Sequence, residues 1–573
     1  MPVHNAEIAD LFDRLANLLE LEDANPFRVR AYRAASRTIR GYPDSMAELV
    51  AAGINLDELP NIGKDLAGKV ETLVKTGALP LLTEVESRVP GQLSDLMAIE
   101  GLGPKRVKAL YEELDIRSVE DLRRAAASGR IRALPGFGEK TEQKIIAGLD
   151  RLSGRTGRTP LPEAEETARS LVAWLEETKG VREVTVAGSY RRRKATVGDL
   201  DLLVVASKGA TVMDRFRAYD EVREVVSAGD KRATVLLRSG MQVDLRVVPG
   251  VSQGAALLYF TGSKAHNIKI RKIAVGKGLK LNEYGLFKRD RRIAGRTEKE
   301  VYDRLGMAWV PPELREDRGE IVAAKKGKLP DLVEIDDIRG DLHCHTNATD
   351  GRLPIAKMAR AAADMGYEYL SINDHTHHVT VAGGLTADEV LKQIDEIDRI
   401  NERLKKITVL KSAEVDILVD GSLDLPDDVL GRLDFTVCAV HYRFDLPQKK
   451  QTERILRAMD NPHFNILAHP TGRLIRDRPP YAVDLPRLMD GARDRGCIME
   501  VNAHPARLDL DDAGCRLARD TGVKVVIATD AHSDVDLRYM RFGVDQARRG
   551  WLTATDVLNT RSVRALKRAL RRS

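Results

Sequence analysis

After Gly340 the chain settles into a rhythm that few architectures accommodate, with seven short apolar runs alternating with helical stretches. The runs are RGDLHCH, YLSINDH, TVLKSAEVD, FTVCAVH, FNILAHP, CIMEVNAH and KVVIATDAH. Strands separated by helices in this way build parallel βα units. Each run also carries a His, Asp or Glu at its C-terminal edge, where βα barrels gather their reactive groups. Residues 339–573 are therefore expected to build parallel βα units with their chemistry at one end of the strands.

The remaining sequence needs other architectures, because 573 residues exceed one compact core and suggest roughly three to five domains. A hydrophobic share of 43% beside 31% charged residues describes folded domains rather than disorder. No apolar run approaches the ~18 to 20 residues of a membrane span. The opening MPVHNAEIADLFDRL lacks the basic flank of a signal peptide. Four scattered cysteines without a CxxC exclude a disulfide scaffold and a thiolate zinc finger, and fit a cytoplasmic protein. The net charge of +6 permits a polyanionic partner without requiring one, since solvated helix surface gives the same balance.

Residues 1 to 150 lack strand-like runs and read as amphipathic helices, the first marked by Ile8, Leu11, Phe12, Leu15, Leu18 and Leu19. They contain an internal repeat. LPNIGK from Leu59, IEGLGPK from Ile99 and LPGFGEK from Leu134 each precede a helical segment. Glycines suit such helix–hairpin–helix turns because the backbone must bend tightly and present amides to a phosphate oxygen. A single turn of this kind is commonly only a turn. Three copies, with Ile62, Gly63, Lys64, Gly101, Gly103, Lys105, Gly136, Gly138 and Lys140, point to sequence-independent DNA contact. The boundaries expected here are 1–80 and 81–152, closed by the linker SGRTGRTP.

From Val181 the texture turns β-branched, and ATVLLRSG with MQVDLRVV reads as a hairpin around Ser239-Gly240. Asp199 and Asp201 lie two apart in DLDLLVVA and so point to one face. Two acids on an otherwise apolar strand call for a cation, and Mg²⁺ or Mn²⁺ bridging carboxylate and phosphate is the fitting chemistry. Asp244, on the hairpin, is a third candidate. Gly188 and Ser189 can offer amides and a hydroxyl to a triphosphate, with Arg192 adding charge-assisted bonds. The competing account is a surface strand with solvated acids, which DxD alone would not exclude.

The combination Gly-Ser, Arg-Arg, Gly-Asp-x-Asp and a later strand Asp resembles the core of nucleotidyltransferases, specifically family X DNA polymerases with a polymerase beta-like core. The resemblance covers residues 1 to about 315 and includes YFTGS from Tyr259, then Asn267, Arg271, LNEY from Leu281 and the Trp309 region. It implies a palm at 160–250, a thumb at 251–315 and a linker at 316–338. It further implies that Asp199 and Asp201 hold two metals and Asp244 one of them. Ser189, Arg192 and Gly198 would contact the triphosphate. Tyr259, Phe260, Gly262 and Ser263, with Asn267 and Arg271, would belong to the segment meeting the nascent base pair, where Tyr259 and Phe260 would crowd the sugar 2′ position and Asn267 would reach the minor-groove edge of the incoming base. Lys264 stands where vertebrate members carry an acid, so it could reach a triphosphate oxygen. Arg28, Tyr32 and Lys69 match positions that bind a 5′-phosphate or form a Schiff base, which makes Lys69 a candidate lyase nucleophile. Asn61 and Asp65 depart from that pattern, and a solvent-facing helix lysine is the alternative.

In the C-terminal part His343, His345, Asp350, His375, Glu414, His441, His469, Asp530 and His532 all fall at strand ends or just beyond. Nitrogen and carboxylate donors without thiolates suit Zn²⁺, Mn²⁺ or Fe²⁺, and nine could hold up to three ions. This segment, residues 339–573, resembles the polymerase-and-histidinol-phosphatase (PHP) domain, which implies a seven-stranded βα barrel with a trinuclear site that hydrolyses phosphoesters. His504 has no assigned role, Cys344 is expected in the core, and Arg473 and Arg507 are either phosphate holders or structural ion pairs. The basic C-terminal TRSVRALKRALRRS either holds DNA or caps the barrel.

The whole chain thus resembles a bacterial family X polymerase. That implies a monomer that takes gapped or nicked DNA and dNTPs, fills short gaps in base excision repair and trims 3′ ends. Two rival readings are a nucleotidyltransferase–phosphatase fusion acting on RNA or small molecules, and a catalytically silent DNA end-binding scaffold. The first leaves the glycine hairpins and YFTGS unexplained, the second the intact acids and nine ligands.

Overall fold

Ile8, Phe12, Leu15 and Leu19 recur at the spacing of one helix face, and the helix Asn5–Leu21 buries all four. The computed structural model describes residues 4–97, 99, 102–153 and 157–571. Gly101 and residues 154–156 of the expected linker lie outside the described residues, as does the side chain of Lys140. The chain divides into two compact units, Met1–Thr178 with Met213–Asp244, and Lys179–Val212 with Leu245–Ser573.

The first unit is chiefly helical. Pro26 opens the helix Pro26–Gly41, where its missing N–H costs nothing, and the Asn25 side chain accepts from the Phe27 amide. Helices Lys64–Thr76, Pro104–Leu114, Val119–Ala127 and Glu139–Ser153 follow. Their apolar faces join the first two helices in one core. The ring of Tyr32 lies inside that core, edge-on to Phe12 with ring centroids 5.5 Å apart, while its hydroxyl has no hydrogen-bond partner. A tyrosine on an amphipathic helix has an apolar body that burial rewards, and here packing wins over exposure. The unit also contains the antiparallel strands Val222–Ala228 and Arg232–Leu237. The turn expected at Ser239-Gly240 is present, with the Leu237 amide donating to the Met241 carbonyl at 2.9 Å and Gly240 at φ +84°.

In the second unit, strand Val181–Val186 pairs antiparallel with Asp199–Ala206. Helices Gln253–Thr261 and Lys264–Gly276 are followed by a three-stranded antiparallel sheet, Lys280–Asn282, Gly285–Lys288 and Arg291–Ala294. Beyond residue 339 the described strands pair with one another in parallel, and antiparallel pairing is confined to isolated bridges such as Asn502↔Asp509. One sheet orders Gly340–Asp341, Tyr369–Ile372 and Thr408–Lys411, and another orders Glu414–Asp416, Val437–Ala439, Ile466–Leu467, Ile498–Asn502 and Val525–Ala528. The run TVLKSAEVD is broken at Ser412 and Ala413, so it supplies an edge to each sheet. Parallel bridges His375↔Glu414 and Cys344↔Ala531 connect segments of the two sheets. All four cysteines are buried and free, Cys344 among them. Of the two accounts of the C-terminal helix Val563–Leu570, packing prevails, since Leu566 and Leu570 enter the core that also holds Leu342, Phe435 and Ile498.

One buried ion network ties the second unit together before the parallel sheets begin. Glu298 receives Arg191 at 2.8 and 2.9 Å and Arg315 at 2.5 and 3.1 Å, and the Trp309 indole donates at 3.2 Å. Burial pushes the Glu298 carboxyl up, but Arg315 and Arg191 outweigh it and hold the group at about 2. Because the folded value is depressed, this stabilisation is complete above the ordinary 4.5 and is lost as pH falls through 2. It amounts to about 3 kcal/mol. Acid-unfolding profiles should lack this component in Glu298→Gln, which at pH 7 should also lose about 3 to 5 kcal/mol because Arg315 keeps its buried charge without an anion. Equal stability of wild type and variant at pH 7 would refute this account.

Candidate active sites

The three glycine hairpins share one geometry. The amide of the second apolar residue bonds back to the first, Ile62 to Leu59 at 3.2 Å, Leu102 to Ile99 at 3.0 Å and Phe137 to Leu134 at 3.1 Å. The carbonyls of Gly63, Gly103 and Gly138 then accept from Ala67, Val107 and Glu142, the first turns of three helices. Ile62, Leu102 and Phe137 are buried, so each turn is pinned by its apolar side chain while Gly63, Gly103, Gly136 and Gly138 stay exposed. Ile62 can therefore offer a ligand only its backbone. Asn61 adopts φ +53°, the left-handed region that Gly136 also occupies at φ +82°. Asparagine tolerates that conformation better than most side chains, so the departure from glycine leaves the turn intact. Arg28, Lys64 and Lys105 are exposed. Lys69 is one-fifth exposed and its ammonium contacts Asp65 at 2.5 Å, one helical turn away.

On strand Asp199–Ala206 the burial alternates at the acidic end, with Asp199 and Asp201 half-buried around a buried Leu200. The preceding strand closes against them, since the Ala187 amide donates to the Asp201 carbonyl at 2.7 Å. Gly188 has φ +62°, and a Cβ there would overlap the Asp201 carboxylate. Glycine is required on both counts. The enclosed Ser189 hydroxyl has no hydrogen-bond partner, a property of groups that await a ligand. Arg192 donates from Nε to Glu316 at 2.9 Å and from Nη1 to the Thr261 carbonyl at 2.7 Å. Gly198 lies at the bend before the strand. Asp244, in the other unit, accepts from Thr234 at 2.6 Å and from Gln242 at 2.7 Å.

The YFTGS turn joins two helices. Tyr259 and Phe260 meet edge to face at 5.0 Å, with Arg271 over the first ring at 5.6 Å and Arg246 over the second at 4.8 Å. The Asn267 amide donates to the carbonyls of Tyr259 and Gly262 at 2.6 and 3.1 Å, while its buried oxygen has no partner. A Cβ on Gly262 would strike that oxygen. Ser263 caps the next helix by accepting from the His266 amide at 3.2 Å, and Lys264 is exposed at its first position.

All nine histidines and acids singled out beyond residue 340 come together. Three groups have donor atoms within 4.8 Å of one another, namely His345, Asp350, His375 and His532, then His343, His345 and Asp530, then His375, Glu414 and His441. His469 joins them through Glu414, its Nε2 being 2.8 Å from Oε1. His345 and His375 each belong to two groups, so the donors form one continuous cluster. Asp530 and His469 take φ +55° and +27°, strained values for residues with side chains, as is common where a site dictates side-chain direction.

The electrostatics suit cations. Burial pushes Glu414 and Asp530 up, yet the surrounding histidines hold both well below the usual carboxylate range. Burial and the neighbouring His532 and His375 lower His345 to about 4, so its imidazole is neutral. Both its nitrogens, and Nε2 of His343, are buried without hydrogen bonds. Against the effect of burial, the same carboxylates raise His343, His375, His441 and His532, so these imidazoles carry protons that compensate the acids, and a divalent metal would bind by displacing them.

A further layer was not anticipated from the sequence. Glu500 is fully buried and holds His343 Nδ1 at 2.7 Å and the His469 amide at 2.6 Å. Asp416 holds His441 Nδ1 at 2.9 Å. Both are acids inside apolar strand runs, a visible signal, but their partners lie on other strands. Arg507 reaches Asp530 at 3.2 Å, while Arg473 donates to the Arg507 carbonyl at 2.8 Å and so props that loop. His504 packs edge-on against Tyr539 at 5.2 Å.

Several known families and proteins are similar to this chain. Residues 3–79 match the helix-hairpin-helix domain, 93–151 the SAM-like helix-hairpin-helix tandem, 158–237 the DNA polymerase beta palm and 256–316 the DNA polymerase beta thumb. The DNA polymerase/3′-5′ exonuclease PolX of Bacillus subtilis (strain 168) is 35% identical over 575 residues, spanning 100% of both chains. DNA polymerase lambda of Arabidopsis thaliana is 26% identical over 351 residues, covering 55% of this chain and 62% of its own. A probable phosphatase of Thermoanaerobacter sp. (strain X514) is 26% identical over 231 residues, covering 38% of this chain and 89% of its own.

Glu500 orients His343 from behind, so Glu500→Gln should weaken divalent-metal binding about 10- to 100-fold. Metal content after dialysis, read by mass spectrometry on the purified chain, is the check, and retention equal to wild type would count against the cluster as a metal centre.

Proposed function

The chain belongs to the family X DNA polymerases that carry a 3′-5′ exonuclease on the same polypeptide, and on that premise we propose that it fills short gaps in damaged DNA and trims 3′ ends. The observation that carries the polymerase assignment is local. Asp199 and Asp201 share one strand face, bare Gly188 makes room for Asp201, and the Ser189 hydroxyl beside them is enclosed without a partner. The full-length likeness to a polymerase/exonuclease supports it.

In this reading Asp199, Asp201 and Asp244 hold Mg²⁺ or Mn²⁺, which when bound neutralises the triphosphate and favours attack by a primer hydroxyl. Ser189, Arg192 and Gly198 grip the phosphates. Tyr259 and Phe260 wall off the sugar 2′ position, Asn267, whose amide is committed to the Tyr259 and Gly262 carbonyls, has only its oxygen left for the base, and Arg271 steadies Tyr259. The hairpin backbones at Gly63, Gly103, Gly136 and Gly138, with Arg28, Lys64 and Lys105, hold gapped or nicked DNA by its phosphates. A lyase role for Lys69 has less support, because its ammonium is engaged by Asp65.

The C-terminal segment, as a PHP barrel formed from the two bridged parallel sheets, carries the exonuclease. His343, His345, Asp350, His375, Glu414, His441, His469, Asp530 and His532 would hold up to three Zn²⁺, Mn²⁺ or Fe²⁺ ions. Arg507 stands beside Asp530, where it could meet a phosphate. The likeness of this segment to a probable phosphatase favours phosphoester hydrolysis here. We further propose that the protein acts as a monomer in the cytoplasm; among the described residues no helix is long and apolar enough to cross a membrane.

Two double variants separate the activities. On gapped DNA, Asp199→Ala/Asp201→Ala should lose primer extension by about 10³-fold and keep 3′ trimming, while His343→Ala/His345→Ala should do the reverse. Wild-type behaviour of both variants in both assays would sink the assignment. Lys264, if it reaches a triphosphate oxygen, should preserve part of the nucleotide affinity when metal is chelated. An equal loss in wild type and Lys264→Ala, measured by equilibrium titration, would exclude that role.

A further inference from the structure

Helix Met540–Arg549 carries contacts that belong to neither centre. Arg549 is 2% exposed, and its Nη1 donates to the backbone carbonyl of Arg192 at 2.6 Å. Both Nη1 and Nη2 lie 3.3 Å from Glu316 Oε1, the oxygen that also accepts Arg192 Nε at 2.9 Å. Nη2 is anchored on its other side by Asp512 at 2.5 Å. One helical turn earlier, Asp545 accepts from Arg193 Nε at 2.7 Å. A second, independent feature lies in the loop so held. Arg193 has φ +56°, a left-handed conformation in a residue that gains nothing from it. Such a backbone persists where contacts on several sides over-determine it, and here they arrive from a segment more than 350 residues away.

A buried guanidinium keeps its place only when its donors are answered. Arg549 answers them with a loop carbonyl and two carboxylates, so its geometry and that of the Gly188–Lys194 turn are mutually fixed. Arg192 has Nε and Nη1 committed to Glu316 and Thr261, which aims the same guanidinium assigned to the triphosphate. Burial pushes Glu316 up, but Arg192 and Arg549 lower it below its ordinary value, so it remains an anion between them.

We propose that Arg549 is a positioning residue for nucleotide binding, so that the C-terminal segment sets the shape of the polymerase's triphosphate loop in addition to doing its own chemistry. The proposal rests on the polymerase reading of Arg192. A chain lacking this brace would still hold the acids of the palm, but its Arg192 would leave the committed orientation and the Arg193 turn would relax.

The test uses the full-length protein on a one-nucleotide gap and on a single-stranded 3′ end. Arg549→Met should raise the KM for dNTP about tenfold, the worth of one charge-assisted contact, with kcat and 3′ trimming held within about twofold. Arg549→Lys, which restores one donor and the charge, should recover most of the affinity. Asp545→Asn loosens the same loop through Arg193 with little threat to folding and should raise KM by about threefold. An unchanged KM in both Arg549→Met and Asp545→Asn overturns the proposal. So does a parallel fall of extension and trimming that tracks a lowered Tm, because that is the signature of a merely structural contact. Failure of the wild-type protein to extend a primer at all would instead overturn the polymerase reading.

Discussion

A carboxylate taken out of water must be answered by positive charge, and this protein meets that requirement in two ways with different consequences. Glu298 is answered by Arg191 and Arg315. Guanidinium groups stay charged at every ordinary pH and fill their donors geometrically, so the network is closed and serves as a brace. Glu414 is answered by imidazoles from His343, His375, His441 and His469. An imidazole can give up its proton and turn a lone pair to a metal, so the second arrangement is exchangeable. The same electrostatic demand thus yields structure where the partners are permanent cations and a site where they are titratable.

That difference also explains the layering around the C-terminal cluster. A histidine that binds metal through one nitrogen needs its other nitrogen fixed. Glu500 and Asp416 do this for His343 and His441, and both are buried acids whose own cost is met by those histidines. The strand positions make the pairing possible. Glu500 lies two residues before Asn502 on a fully buried strand, so both project to the same face, and Asn502 in turn reaches Glu500 and Asp530.

What the sequence made legible follows from the range of the interactions. Period-two alternation placed Asp199 with Asp201 and His343 with His345, because neighbours on one strand face need no knowledge of tertiary structure. Eight of the nine donors were readable for the same reason, since they sit at the ends of six apolar runs, and Asp350 lies just beyond the first of them. Glu500, Asp416, Glu316 and Arg549 were not, since each acquires its meaning from a partner on another strand or in another segment. The run TVLKSAEVD looked continuous because alternation does not register the break at Ser412 and Ala413 that divides it between two sheets.

The hairpins show the opposite relation between residue type and role. Their shared turn is made of backbone bonds and one buried apolar side chain each, so the groups offered outward are amides, which every residue but proline carries. Recognition built that way tolerates side-chain change as long as the backbone dihedral survives, and Asn61 at φ +53° satisfies that condition. Chemistry at a side chain has no such tolerance. Asp65 holds the Lys69 ammonium one helical turn away on the helix that carries both. The backbone of the first hairpin and the surroundings of the neighbouring lysine are therefore separable within a few residues of chain.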